Sequence, residues 1–297
     1  MNKDIKKFLG KKVGNYMILK YINSGSFGHV FEGLNTKTDS PVAIKIPIKT
    51  KDKDGRDCLD KEIKLYKEIS NPERGFINMK AIKMENKDRI IVMDLLGPSL
   101  ENIISKKKRL GLKSVIYLAK QMILILRYLH SFGYIHRDIK PDNFAIGNDN
   151  KKKLYCIDLG LCKKILNNKK HIPFVKGKSI VGTIRYSPIA STSTFEQGRK
   201  DDLESIAYVL VYLFKGTLPW MGIKADTKEE RYRLIGERKK SITEEELTVG
   251  MPKEFLVFLK YIRNMDFEEK PPYTSFYNMF DKLYESKNYK NDKFDFE

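Results

Sequence analysis

The stretch YIHRDIKPDNF, residues 134–144, sets a carboxylate, an ammonium and an amide close together as Asp138, Lys140 and Asn143. Further on, IDLG supplies a second carboxylate, Asp158, after the strand-like KLYCI. Upstream, NSGSFGHV, residues 23–30, is patterned like the phosphate turn G-x-G-x-x-G, with Asn23 in the first glycine place and Gly25 and Gly28 in the other two. Glycines there would let backbone N–H groups approach phosphate oxygens closely. Taken alone, the octamer is a weak signal and reads more readily as an ordinary hairpin turn. Asn23 is a mild departure, because asparagine accepts positive φ better than other non-glycine residues. Lys45, in VAIK, needs an anion if it faces a cleft. Nucleotide phosphates would serve, as would a helix carboxylate, and Glu62 is the candidate. By themselves, Lys45 reads as a surface strand lysine and Glu62 as a solvated helix residue.

Residues 16–46 carry the strand signals that must position the first of these groups. Tyr16 to Ile22 and Val30 to Glu32 flank the glycine turn, and PVAIKI follows as a β-branched run. Alternation puts Val42, Ile44 and Ile46 on one face and Ala43 and Lys45 on the other. DCLDKEIKLYKEI reads as a helix and RIIVMDLL as a strand. From about residue 99 the pattern turns helical. Val115, Leu118, Ala119, Met122, Ile125, Leu126 and Leu129 recur at helical spacing. DDLESIAYVLVYLF is apolar almost all round, which predicts a helix buried inside a lobe. The expected organisation is a basic N-terminal extension (1–15), a domain over 16–286 and a short C-terminal extension (287–297). Within the domain, a small β-rich lobe (about 16–95) joins a larger helical lobe (about 99–286) near Leu96 to Ser99.

Composition bounds the partners. The chain has 297 residues, 41% of them hydrophobic, so it can build a sizeable core. No apolar run reaches the roughly 18 residues of a membrane span. Cys58, Cys156 and Cys162 form no metal spacing and cannot all pair internally. Reduced thiols in a cytoplasmic or nuclear protein are the expectation. The net charge of +19 favours an anionic partner: nucleic acid, acidic membrane, or acidic or phosphorylated protein.

Glycine loop, VAIK, HRDIKPDN and D-x-G, in this order and spacing, resemble the protein kinase signature. That resemblance implies an α+β bilobal fold, with ATP and Mg²⁺ as cofactors. It resolves the glycine turn as the loop over ATP. Phosphoryl transfer needs positioning and charge neutralisation more than covalent help. Asp158 and Asn143 would then offer oxygens to Mg²⁺, a hard cation. Asp138 would lie where an acceptor hydroxyl loses its proton, and Lys140 would neutralise the transferring phosphate. Lys45 would hold the α- and β-phosphates, itself fixed by Glu62. Lys140 after RDI looks like the serine/threonine branch rather than the tyrosine branch.

LLGPSLENI, HRDIKPDNF and GTIRY…FEQGRKDDLESIAYVLVYLFKGTLPW closely resemble the casein kinase 1 family, from about Tyr16 to Tyr284 and through HIP at 171–173. This likeness puts Met93 at the gatekeeper position, with the Asp94 carbonyl and the Leu96 backbone holding adenine. Ile22, Val30, Ala43 and Ile157 would sandwich the base, and Asn23, Gly25, Ser26 and Gly28 would form the turn over the phosphates. Asp202 would cap the catalytic-loop backbone. Relatives of this family look for a phosphorylated or acidic residue a few positions before the acceptor. The matching residues here are Arg185, Gly222 and Arg231.

The chain departs from these patterns at three places. Asn23 replaces a glycine. Leu159 replaces the phenylalanine of D-F-G, and its size and apolarity suit the same core slot. Pro188-Ile189-Ala190 stands where the family has S-I-N, and the general A-P-E is absent too, which leaves open how the activation segment is anchored. Three functions therefore compete. An active kinase is favoured, because every residue that would touch phosphate, metal or proton is present. A pseudokinase scaffold is suggested by Asn23 and Leu159, and ATP turnover on an acidic protein would discriminate. A nucleic-acid binder is suggested by the charge, but there is no aromatic-interleaved basic motif or zinc spacing. A salt-steep shift assay would test it.

Overall fold

The computed structural model describes residues 3–25, 28–48, 53–85, 88–290 and 292–297, without the side chains of Lys53 to Cys58 and of a few residues near the other gaps. It divides into two compact units, Met1–Gly97 with Ile146–Gly160, and Pro98–Ala145 with Leu161–Glu297.

The first unit is built on a six-stranded antiparallel sheet. Its strands are β1 (Lys12–Val13), β2 (Tyr16–Ser24), β3 (Gly28–Asn35), β4 (Ser40–Pro47), β5 (Met79–Glu85) and β6 (Asp88–Asp94). They run in the order β1-β2-β3-β4-β6-β5. Two register shifts in the β2–β3 pair, between Ile18 and Lys20 and between Tyr21 and Asn23, mark bulges that bend the ribbon. A short N-terminal helix, α1 (Lys3–Lys6), precedes the sheet. Ile5 and Val13 join Ile18, Phe31, Val42, Ile44 and Ile46 in one buried cluster, so the segment read from sequence as an extension contributes to this core. The predicted alternation on β4 holds: Val42, Ile44 and Ile46 fill that cluster, which leaves Lys45 to the other face.

Helix α2 (Lys53–Ile69) buries Leu59, Ile63, Tyr66 and Ile69 at helical spacing. Glu62 lies on that apolar stripe and is 1% exposed. A carboxylate there is costly unless a cation meets it.

The second unit is mainly helical: α3 (Leu100–Lys107), α4 (Leu112–Ser131), α5 (Ile189–Thr192), α6 (Arg199–Lys215), α7 (Lys228–Ser241), α8 (Glu244–Thr248), α9 (Lys253–Asn264) and α10 (Tyr273–Ser286). Helix α6 is buried on all sides from Asp201 to Leu213, as its sequence predicts. It stops at Gly216, whose φ of 78° is the left-handed C-terminal turn. Helix α4 starts at Gly111, which has no side chain to cap it. Asp295 does the capping from the far end of the chain, accepting from the Gly111 N–H and the Ser114 hydroxyl. Phe294 and Phe296 are buried beside Tyr117, so the last residues are packed against α4. Among the described residues, no helix is long and apolar enough to cross a membrane.

Candidate active site

Each unit carries one part of the predicted constellation. In the first, Lys45 on β4 donates to both carboxylate oxygens of Glu62, at 2.8 and 2.7 Å, and to Asp158 Oδ1 at 3.3 Å. Burial opposes the Lys45 charge, but Glu62 and then Asp158 hold its ammonium above the ordinary lysine value. Burial raises Glu62, with Lys45 pulling the other way, and the Leu159 N–H also reaches this carboxylate. Lys45 is thus a fixed cation with two anionic neighbours. Asp158 adopts a φ of 62°, the left-handed region that a non-glycine residue occupies at a cost. Leu159 beside it is 1% exposed, so leucine does fill a core slot here.

The glycine turn closes through the Gly25 N–H on the Gly28 carbonyl, at 2.9 Å. Neither glycine, nor Asn23, has positive φ, so the strain that asparagine would have carried does not arise. At Gly28, though not at Gly25, glycine is required for space. A Cβ on Gly28 would stand 2.8 Å from the Ile46 carbonyl oxygen, and one on Gly25 would stand 3.6 Å from Asp158 Oδ2. Ser26 lies outside the described residues.

The residues expected to hold a base are spread over this unit. Ala43 is paired with Met93 across β4 and β6, and both are buried. Val30 is paired with Lys45 across β3 and β4. Val30, Asp94, Leu96 and Ile157 are half-buried, and Ile22 is exposed. Asp94 accepts from the Asn78 N–H at 3.0 Å and pairs with Lys80 at 2.9 Å.

In the second unit, Asp202 at the start of α6 organises the loop that carries Asp138. Its carboxylate accepts from the His136 N–H at 2.7 Å and the Arg137 N–H at 2.9 Å. His130 Nε2 meets it at 2.8 Å, and the other ring nitrogen of His130, Nδ1, is braced by the Tyr273 hydroxyl at 2.6 Å. Burial works to raise Asp202, yet His130, and then His136 with its N–H, hold it below the usual carboxylate range. The loop needs this support because Arg137 sits at a φ of 65°.

Asp138 is gripped on both oxygens. Lys140 Nζ donates to Oδ2 at 2.6 Å and Asn143 Nδ2 to the same oxygen at 3.1 Å. Thr183 donates to Oδ1 through its backbone N–H and its hydroxyl, each at 2.9 Å. Asn143 Nδ2 also donates to the Asp138 carbonyl at 2.8 Å, so its oxygen remains to meet a cation. Lys140 reaches the Thr183 hydroxyl at 3.2 Å. Thr183 lies in GTIRY, and its contact with Asp138 had no signal in the sequence beyond the glycine before it. That glycine is obligatory: Gly182 has a φ of 85°, and a Cβ would stand 2.3 Å from the Arg137 carbonyl oxygen.

The segment from Leu161 onward is held by ion pairs and ring contacts. Lys163 and Lys178 reach the buried Glu196 at 2.7 and 3.6 Å. Burial opposes the Glu196 charge, but Lys163 keeps its carboxyl below the usual value. Phe174 packs edge-on against Phe195 and Phe267, and His171 packs on Phe267. Pro188-Ile189-Ala190 forms the start of α5, where Glu204 accepts from the Ile189 N–H at 3.3–3.4 Å. Arg263 Nε stands 3.7 Å from Glu204. Arg185 is half-buried over the Tyr186 ring, Gly222 is open with a φ of 86°, and Arg231 is exposed in the first turn of α7.

A buried lysine–glutamate pair beside an aspartate is common enough as structure. An aspartate held from both sides by a lysine, an asparagine and a threonine is a stricter demand, and so is its strained, carboxylate-capped loop. Both sets contain the positions that match the kinase signature in the sequence. A family model described as protein kinase domain matches residues 16–279, which takes in both sets of residues. The chain belongs to the protein kinase family.

Proposed function

We propose that this kinase is a serine/threonine kinase of the casein kinase 1 type, and that it acts on protein segments bearing an acidic or phosphorylated residue before the acceptor. Support comes chiefly from Lys140, whose ammonium lies 2.6 Å from Asp138 and 3.2 Å from the Thr183 hydroxyl. A cation so close to the proton acceptor suits a small aliphatic hydroxyl approaching Asp138, with Lys140 balancing the charge of the transferring group.

In this reading ATP is the donor and Mg²⁺ the divalent ion. Asp158 and Asn143 carry the hard oxygen donors that such an ion prefers. Lys45, kept charged by Glu62, would hold phosphates, with Gly25 and Gly28 leaving room for backbone approach. Asp138 would take the hydroxyl proton. Arg185 and Arg231, with the open backbone of Gly222, would meet the substrate anion. A cytoplasmic or nuclear location is part of the proposal and rests on the cysteine pattern alone.

The test is phosphorylation of casein and of a peptide library, with and without an upstream phosphoresidue, followed by phosphoamino-acid analysis. Phosphoserine and phosphothreonine, with primed peptides preferred, are expected. Phosphotyrosine as the main product, or indifference to priming, would refute the corresponding half of the proposal.

A further inference from the structure

Lys239, near the end of α7, is 0% exposed. Its ammonium donates to the Ile184 carbonyl at 2.7 Å and the Ser187 carbonyl at 2.5 Å, and reaches the Ser187 hydroxyl at 3.5 Å. It also lies 5.1 Å from the ring centre of Tyr208 and 5.0 Å from that of Trp220. All three hydrogen-bond partners are neutral oxygens. Burial pulls this lysine down to about 7, with Glu204 working against that effect and Arg263 adding to it. An ammonium buried without a hydrogen-bonded counter-ion is an expensive way to fill a core. A methionine has similar bulk and no charge, so packing alone does not account for a lysine here.

What the lysine holds suggests its use. Arg185 and Tyr186 lie between the two bonded carbonyls. The Arg185 carbonyl is fixed separately by Trp220 Nε1, at 2.7 Å. Three carbonyls of the strap 184–187 are therefore tied by donors from outside it. The strap begins directly after Thr183, which grips Asp138, and ends directly before Pro188-Ile189-Ala190, where the usual anchoring motif is missing.

We propose that Lys239 is a positioning residue for substrate recognition: by holding the Ile184 and Ser187 carbonyls, it fixes the pose in which Arg185 meets the anionic residue of a substrate peptide. Lys239 itself touches no substrate. The inference rests on the proposed function only through its reading of Arg185 as the anion contact.

The experiment compares the full-length wild type with Lys239→Met. It measures thermal melting, ATP hydrolysis without peptide, KM and kcat for a phosphate-primed peptide, and calorimetric Kd for that peptide. The variant should melt cooperatively and keep its peptide-free ATP hydrolysis. Its KM and Kd for the primed peptide should rise about tenfold or more, as the loss of one charge-assisted contact implies. A folded variant with unchanged KM and Kd overturns the proposal, as does a loss of ATP hydrolysis parallel to the loss of peptide turnover. If Lys239→Met does not fold, Trp220→Phe removes the donor to the Arg185 carbonyl and part of the ring that faces Lys239, and must then show the same split between KM and ATP hydrolysis. A wild type without phosphotransfer whose peptide Kd still depends on Lys239 would defeat the kinase reading and keep this one. A wild type that binds no phosphopeptide defeats this one.

Discussion

Thr183 holds one oxygen of Asp138 twice, with its N–H and its hydroxyl each 2.9 Å from Oδ1. The carboxylate is thereby aimed before any substrate arrives, which lowers the cost of reaching a productive geometry. Thr183→Val keeps the shape and the N–H but loses the hydroxyl. It is expected to lower kcat about tenfold, the worth of a hydrogen bond to a charged group, and to leave the KM for ATP within about twofold. Steady-state kinetics with varied ATP checks this, and an unchanged kcat would mean that the N–H alone suffices.

Some of this architecture was legible in the sequence because periodicity carries it. The alternation on β4 placed Lys45 opposite the Val42, Ile44 and Ile46 face, and the all-round apolarity of 201–214 announced the buried helix α6. The contacts of Asp138 with Lys140 and Asn143 were legible because the three residues lie within six positions of one another. Contacts made by residues far apart along the chain left no such trace. Nothing in the sequence marks Glu196 as the acceptor for Lys163 and Lys178, or Asp295 as the cap of α4. The role of the glycines was legible only in part. Gly28 is needed for close approach, and the positive φ feared at Asn23 is absent while Asp158 and Arg137 carry it instead.

Glu196 bears on regulation. Between Gly160 and Lys178 the chain has no Ser, Thr or Tyr, so the loop has no phosphate acceptor, and the Glu196 carboxylate gathers its lysines instead. Phosphatase-treated protein should therefore keep its rate. Glu196→Gln should make the loop cleavable by trypsin in its folded state. A large loss of activity after phosphatase treatment would contradict this reading.

Asp201 predicts a pH dependence of stability. Burial, and then the neighbouring Glu204, push its carboxyl up to about 8, against the Gly198 N–H that it accepts at 2.6 Å. A folded-state value above the unfolded one means that the folded chain binds the proton more tightly. The resulting stability is complete at acid pH, falls as pH rises past the ordinary carboxylate range, and levels off above about 8. Asp201→Asn can still accept the Gly198 N–H and does not titrate. Its stability relative to wild type should climb between about pH 5 and 8 by up to about 1.4 kcal/mol per unit, then flatten. Melting curves across that range check this, and a constant difference would contradict it.

Arg185 and Arg231 are expected to read the substrate anion. Replacing both with alanine should raise KM for a primed peptide far more than for an unprimed one, lowering the preference about tenfold or more. Equal effects on both peptides would assign these arginines to the fold or to the catalytic step.

The most direct measurement is transfer of labelled γ-phosphate from ATP to a primed peptide by wild type, Lys45→Met and Asp138→Asn, with thermal melting of each protein. Lys45 and Asp138 are the fixed cation and the aimed carboxylate on which the account turns. Both variants should fold, and both should lose kcat by about 100-fold or more, while the wild type forms phosphoserine or phosphothreonine. A folded variant that keeps more than about a tenth of the wild-type kcat would contradict the account.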